Sequence, residues 1–220
     1  ILSPPLSEMP EVLSELDQNQ ISYVRILSGD GLFPSPLPYV LVNDFKAAYD
    51  ITEHLIGQGH KNIAFIAGEE IHKSTIERLN GYKAALEKAG IAIDESLIIK
   101  GTYSFETGVK SSETLLAMSP PPTAVFACND EIAAGTLFGA RMKGVDVPQE
   151  LAIAGFENSP FSRQTFPPLT TASQPTNEIA QHAAASLIQY LRAKKAKAAH
   201  DNLNHTFIPE LVVRASTEKQ

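Results

Sequence analysis

Arg78, Tyr103, Asn129 and Glu157 stand out for their chemistry and for where they fall. Each follows shortly after an apolar run. Glu69, Glu70, His72, Ser74 and then Arg78 come after residues 63–67. Thr102, Tyr103 and Phe105 come after 97–100. Asn129, Asp130 and Glu131 come after 124–128, and Glu157 and Asn158 after 151–155. If those runs are parallel strands, these sets share one rim, at the carboxyl ends where ligands bind and helix N-termini point. The chemistry on offer is recognition rather than bond-making. Arg78 has forked donors that suit ligand oxygens. The Asn129 amide donates and accepts at once, which suits a hydroxyl. Glu157 can accept two charge-assisted hydrogen bonds. Tyr103 or Phe105 can pack on the apolar face of a sugar ring.

Each residue also has a plainer reading. With the helix expected to start at Ser74 or Thr75, Arg78 lies in its first turn, where a cation opposes the dipole. Glu77 or a contact one turn back could compensate it. The functional reading is preferred because of its polar company, and Arg78→Ala is expected to weaken ligand binding while leaving the fold intact. Asp130 is expected to be an ordinary N-cap. Glu157 could pair with a surface cation. Tyr103 and Phe105 could be core. Cys128 lies near a helix N-terminus, but with no placed His partner it reads as an inert buried thiol.

The enzyme classes that leave short signatures are not represented. There is no G-x-S-x-G elbow and no G-x-x-x-x-G-K-[ST] phosphate loop. Gly57-Gln58-Gly59-His60 follows a helix rather than opening one, so capping explains it. His54, His60, His72, His182, His200 and His205 lack metal-ligand spacing, and no metal or cofactor is expected.

Composition agrees with a globular binding protein. The chain has 220 residues, enough for one large or two small domains. Its net charge of −7 leaves no excess cationic surface for gripping a phosphate backbone unaided. A single cysteine excludes an internal disulfide and fits a reducing compartment. No apolar run approaches the ~18 residues a membrane span needs. The start at Ile1-Leu2-Ser3-Pro4-Pro5 reads like a strand leaving a sheet, so the chain is expected to be the remainder of a longer protein.

The elements that would position these residues alternate. Helices are predicted over 7–19, 45–58, from Ser74 to before Gly90, 104–118, 130–143 and 176–193. Strand-like runs are predicted at 21–27, 39–42, 63–67, 97–100, 124–128, 151–155, 205–208 and 211–214. A Pro-rich loop follows Leu27, and 156–169 reads as irregular. Asn43-Asp44 can cap the helix at 45–58. This is an α/β pattern of parallel sheets covered by helices on both faces. The Lys194-Lys195-Ala196-Lys197 run reads as a solvated helix end.

Seven stretches, in order, resemble the lactose/galactose-repressor (LacI/GalR) family. They are Asp44-Phe45-Lys46-Ala47-Ala48 through Glu53-His54-Leu55; Gly59-His60-Lys61-Asn62-Ile63-Ala64-Phe65-Ile66-Ala67-Gly68; and Glu77-Arg78-Leu79-Asn80-Gly81-Tyr82. Next come Pro121-Pro122-Thr123-Ala124-Val125-Phe126-Ala127-Cys128-Asn129-Asp130, then Val147-Pro148 through Ala154-Gly155-Phe156-Glu157-Asn158. Pro167-Pro168-Leu169-Thr170-Thr171 with Gln174-Pro175 and Glu210-Leu211-Val212-Val213-Arg214-Ala215-Ser216 complete the set. Together they cover essentially the whole chain.

The resemblance implies a two-lobed, type I periplasmic-binding-protein-like core holding a small-molecule effector, a sugar by expectation, between its lobes. It implies a first lobe of 1–43 with 175–207, incomplete here, and a second of 44–174 with 208–220. It places effector contacts at Ser74, Arg78, Tyr103, Asn129, Glu157 and Gln174. Operator DNA would be bound by a helix-turn-helix headpiece absent from this chain. A cytoplasmic, non-enzymatic homodimer is implied, with Leu137, Phe138 and Met142 and the loop 159–168 as interface candidates. The alternative is a secreted sugar-binding protein serving a transporter. Three positions depart from the family pattern: Leu27 and Glu157 stand where Asp is usual, and Arg25 where an apolar residue is usual.

Overall fold

The computed structural model describes residues 1–27, 37–199 and 202–218. The Pro-rich loop after Leu27 and His200 lie outside the described residues. In chain order the elements are α1 (Pro10–Gln18), β1 (Arg25–Leu27), β2 (Tyr39–Val42), α2 (Asp44–Gly57), β3 (Ile63–Ile66), α3 (Lys73–Lys88), β4 (Ile98–Ile99), α4 (Phe105–Leu116), β5 (Ala124–Ala127), α5 (Asp130–Met142), β6 (Ala152–Glu157), α6 (Pro160–Gln164), β7 (Thr170–Ser173), α7 (Thr176–Ala196), β8 (His205–Phe207) and β9 (Glu210–Val212). The chain divides into two compact units: Ile1–Asn43 with Pro175–Ile208, and Asp44–Gln174 with Pro209–Gln220.

The first unit is built on a three-stranded parallel sheet, ordered β1-β2-β8. Val24, Val40, Val42, Ile179 and Ala183 form its core under α7. Leu13, Tyr23 and Leu37 form a second cluster beside α1. The run expected at 21–27 is a strand only from Arg25, whose side chain is buried.

The second unit carries a six-stranded sheet ordered β4-β3-β5-β6-β7-β9. Every pairing is parallel except the last, where β9 runs antiparallel to β7. β3 and β5 are buried at every position, which is why they read as unbroken apolar runs. From β3 the chain steps one way to β4, then returns past β3 to β5 and onward to β6. With right-handed crossovers, α3 covers one face and α4 and α5 the other. α2 packs on α3, and α4 on α5. Gly108 and Gly135 allow the second pair to touch backbone to backbone: a Cβ at Gly108 would collide with the Ile132 carbonyl, and one at Gly135 with that of Phe105. The reversal of direction between β3 and β5 opens a switch point at their carboxyl ends.

Four details differ from the sequence expectation. α3 begins at Lys73, so Arg78 sits in its second turn, beyond the reach of the dipole argument. α5 is capped by Asn129, whose side chain accepts the Ile132 N–H, rather than by Asp130. The stretch expected to be irregular contains α6, with Pro160 in its first turn. β7 was hidden because Thr-Thr-Ala-Ser has no apolar run; its buried threonines are satisfied through their hydroxyls instead. Thr170 Oγ1 lies 2.7 Å from Thr217 Oγ1, and Thr171 donates to Asp130 Oδ1 at 2.7 Å.

Candidate functional site

Arg78 lies at the switch point of the second unit. Its side chain is only 3% exposed. Nε donates to Asp44 Oδ1 at 2.8 Å, and Nη1 to the Cys128 carbonyl at 2.6 Å. The guanidinium lies flat against Phe156, 3.7 Å from the ring centroid. Nη1 is also 3.8 Å from Glu157 Oε1, too far for a direct hydrogen bond and near enough for a charge interaction. Burial opposes the positive charge, but Asp44 leads the acidic neighbours that more than offset it, so the guanidinium stays protonated. Its compensation is therefore Asp44, the first residue of α2, and not Glu77 or a residue one turn back. This pairing argues against the expectation that Arg78→Ala would leave the fold intact. That change takes the guanidinium away from a buried carboxylate, which costs stability.

Tyr103 enters from the segment after β4. Its hydroxyl lies 2.7 Å from Thr75 Oγ1, 3.3 Å from Ser74 Oγ and 3.5 Å from Cys128 Sγ. Its ring lies over Gly68, where a Cβ would run into it. The His72 ring packs at 5.8 Å. Burial, then Cys128, raises the phenol pKa, so Tyr103 is a neutral hydroxyl at physiological pH. Cys128 is fully buried beside it.

Asn129 stands at the end of the β5 segment. Its Oδ1 takes the Ile132 N–H at 2.9 Å, which leaves the Nδ2 donor as its distinctive offering.

Glu157 ends β6 at φ +102°, a region that costs a non-glycine residue roughly 1–3 kcal/mol. Its side chain keeps 37% exposure. Burial raises its carboxyl pKa, Arg78 pulls it down, and Asp130, Asp44 and Glu131 push it up again. Gln174, after β7, donates its backbone N–H to the Glu157 carbonyl at 3.4 Å. Behind Glu157, buried Asp130 accepts from Thr171 Oγ1 and from the Ser159 N–H, each at 2.7 Å.

The six expected residues thus fall around one end of the second unit's sheet. Arg78, Tyr103 and Asn129 meet at Cys128, which touches the first two and precedes the third. Glu157 faces Arg78, Ser74 supports Tyr103, and Gln174 joins through the backbone. Sequence reading missed Asp44, Phe156 and Thr75. Asp44 carried a signal, since it was noted as a helix cap; nothing local tied it to a residue 34 positions away. Among the described residues no group of three or more His, Cys, Asp or Glu could hold a metal ion. Among them, too, no helix is long and apolar enough to cross a membrane.

Comparison with known proteins fits this architecture. A model of the periplasmic binding protein-like domain matches residues 52–217. The HTH-type transcriptional regulator DegA of Bacillus subtilis is 37% identical over 93% of this chain and 59% of its own. The HTH-type transcriptional repressor CytR of Escherichia coli is 38% identical over 82% of this chain and 52% of its own. The solved complex of the transcriptional regulator CelR with cellobiose superimposes with a TM-score of 0.85, at 29% identity, over 93% of this chain and 62% of that one. The chain therefore spans little more than half the length of the curated relatives it matches. From its fold and these relatives, the chain belongs to the LacI family of transcriptional regulators, of which it represents the periplasmic-binding-protein-like core.

Proposed function

We propose that this chain is the effector-binding core of a LacI-type regulator whose parent protein couples a small hydroxylated ligand, a sugar, to operator DNA through a helix-turn-helix headpiece. The carrying observation is the convergence of Arg78, Tyr103, Asn129 and Glu157 at the carboxyl ends of β3, β5 and β6. Donors from Arg78 and Asn129 and an acceptor at Glu157 suit a ligand whose hydroxyls both give and take hydrogen bonds. Ser74 and Gln174 complete the set. The two units are read as the family's two lobes.

The relatives named above are regulators rather than enzymes, and no catalytic step is assigned to these side chains. None of those relatives is a transporter's binding protein, so the regulator reading is preferred and a cytoplasmic location goes with it. A homodimer is part of the reading. Phe138, Met142, Phe161 and Phe166 are exposed apolar side chains on α5, on α6 and just after it, as a partner surface requires.

A calorimetric screen of mono- and disaccharides is the test. At least one is expected to bind, with Asn129→Ala and Glu157→Gln each weakening it by about tenfold or more, as the loss of a charge-assisted or buried hydrogen bond implies. Undiminished affinity in both variants would remove these residues from recognition.

A further inference from the structure

A guanidinium favours anionic ligands most when its charge is uncompensated. That of Arg78 is compensated. The Asp44 carboxylate holds its Nε at 2.8 Å, with both side chains almost wholly buried, so the two charges cancel where water screens least. Nη1 is taken up by the Cys128 carbonyl, and Phe156 covers one face of the group. The charged group left with substantial exposure is Glu157, 3.8 Å from Nη1. Asp130 stands buried behind it. Arg78, Asp44 and Glu157 together leave an excess of negative charge. Lys73, at the start of α3, already has an interaction of its own.

We propose that Asp44 is a specificity-determining positioning residue, which by neutralising Arg78 turns it from an anion receptor into a fixed hydrogen-bond donor. The site then takes uncharged, hydroxyl-bearing molecules and rejects their phosphate esters. A neutral hydroxyl accepts from the Arg78 or Asn129 edge and donates to Glu157. A phosphate placed there meets the Glu157 carboxylate, while Arg78, the cation the described residues show beside it, is already paired with Asp44, so like charges are juxtaposed. The inference rests on the effector-site reading above.

The test is calorimetry of the protein with glucose, ribose, cellobiose and adenosine, each beside its phosphate ester. The wild type is expected to bind at least one neutral member, and to bind its ester about tenfold more weakly or worse. Asp44→Asn keeps an oxygen for Arg78 Nε but removes the charge. It is expected to narrow or invert that ratio, with ester binding that now weakens as salt rises. A purely structural Asp44 would lower affinity for both ligands alike and leave the ratio unchanged, and that result overturns the proposal. Should Asp44→Asn not fold, Glu157→Gln serves, because removing the exposed charge is also expected to raise tolerance of the ester; an unchanged ratio there counts equally against the proposal. Wild-type preference for an ester overturns the charge argument alone. Failure of every panel member, neutral and esterified, overturns the effector-site reading and this proposal with it.

Discussion

The Arg78 guanidinium is held between Phe156, 3.7 Å from the ring centroid, and Asp44, 2.8 Å from Nε. A planar, permanently charged fork fills this position; an ammonium cannot stack and donate sideways at once. Removing the arginine leaves Asp44 buried without its cation. Arg78→Ala is therefore expected to cost about 3–5 kcal/mol of unfolding free energy. Arg78→Lys should cost less and still weaken ligand binding. Chemical denaturation monitored by circular dichroism reads both, and an alanine variant as stable as the wild type would contradict the pairing.

Asp130 supports the β6–α6 connection from underneath. Its two oxygens accept from Thr171 Oγ1 and the Ser159 N–H. Asp130→Ala leaves both donors seeking partners in a buried place, and about 1–3 kcal/mol of destabilisation is expected for each donor left unsatisfied. Asp130→Asn, which retains one acceptor oxygen, should recover part of that loss in the same urea titration.

Glu157 gives the stability a pH dependence. Its pKa is raised in the folded chain above the ordinary 4.5, chiefly by burial. The folded state then keeps the proton to higher pH than the unfolded state does. The associated stability is complete below 4.5 and is lost as pH climbs through the folded pKa. Once ionised, the carboxylate is a destabilising group, moderated by its partial exposure. Glu157→Gln should raise the melting temperature at pH 7, and the gain should shrink towards pH 4. An equal gain at both values would assign it to something other than charge.

Gly68 is fixed by the ring above it. A methyl there would overlap Tyr103, so Gly68→Ala is expected to cost about 1–3 kcal/mol. In a Tyr103→Ala background the same change should be nearly free. Strict additivity in that double-mutant cycle would show that the two positions do not meet.

The dimer reading is tested on α5. Met142 is 71% exposed and Phe138 50%. Met142→Glu places a charge in the proposed apolar surface. Sedimentation at micromolar concentration should show a wild-type dimer and a lighter variant; a monomeric wild type would remove the proposed interface.

Much of this architecture can be read from residue order, and the exceptions have physical reasons. β3 and β5 are apolar throughout, and β6 as far as Phe156, because both faces of the sheet are covered, and the polar residues at their carboxyl ends must share a rim. Arg78, Asn129 and Glu157 lie together at that rim. β7 was illegible because its buried threonines are satisfied by hydrogen bonds to Thr217 and Asp130 rather than marked by an apolar run. Asp44 was legible only as a cap. Its real partner lies across the α2–α3 pair, and periodicity carries no information about contacts between elements. The same limit hid Phe156, read as the start of an irregular stretch, whose ring serves as a platform for a cation.

The antiparallel strand β9 has a consequence for how the chain is made. It closes the outer edge of β7, and just beyond it Ser216 accepts the Thr170 N–H and donates to the Ile153 carbonyl. These residues leave a ribosome only after α7 and β8. Until then β7 presents bare N–H and C=O groups, the kind of edge that invites mispairing between nascent chains. Synthesis order thus makes the second unit wait for β9, and premature termination anywhere in the stretch before Pro209 would release a protein whose sheet is unfinished.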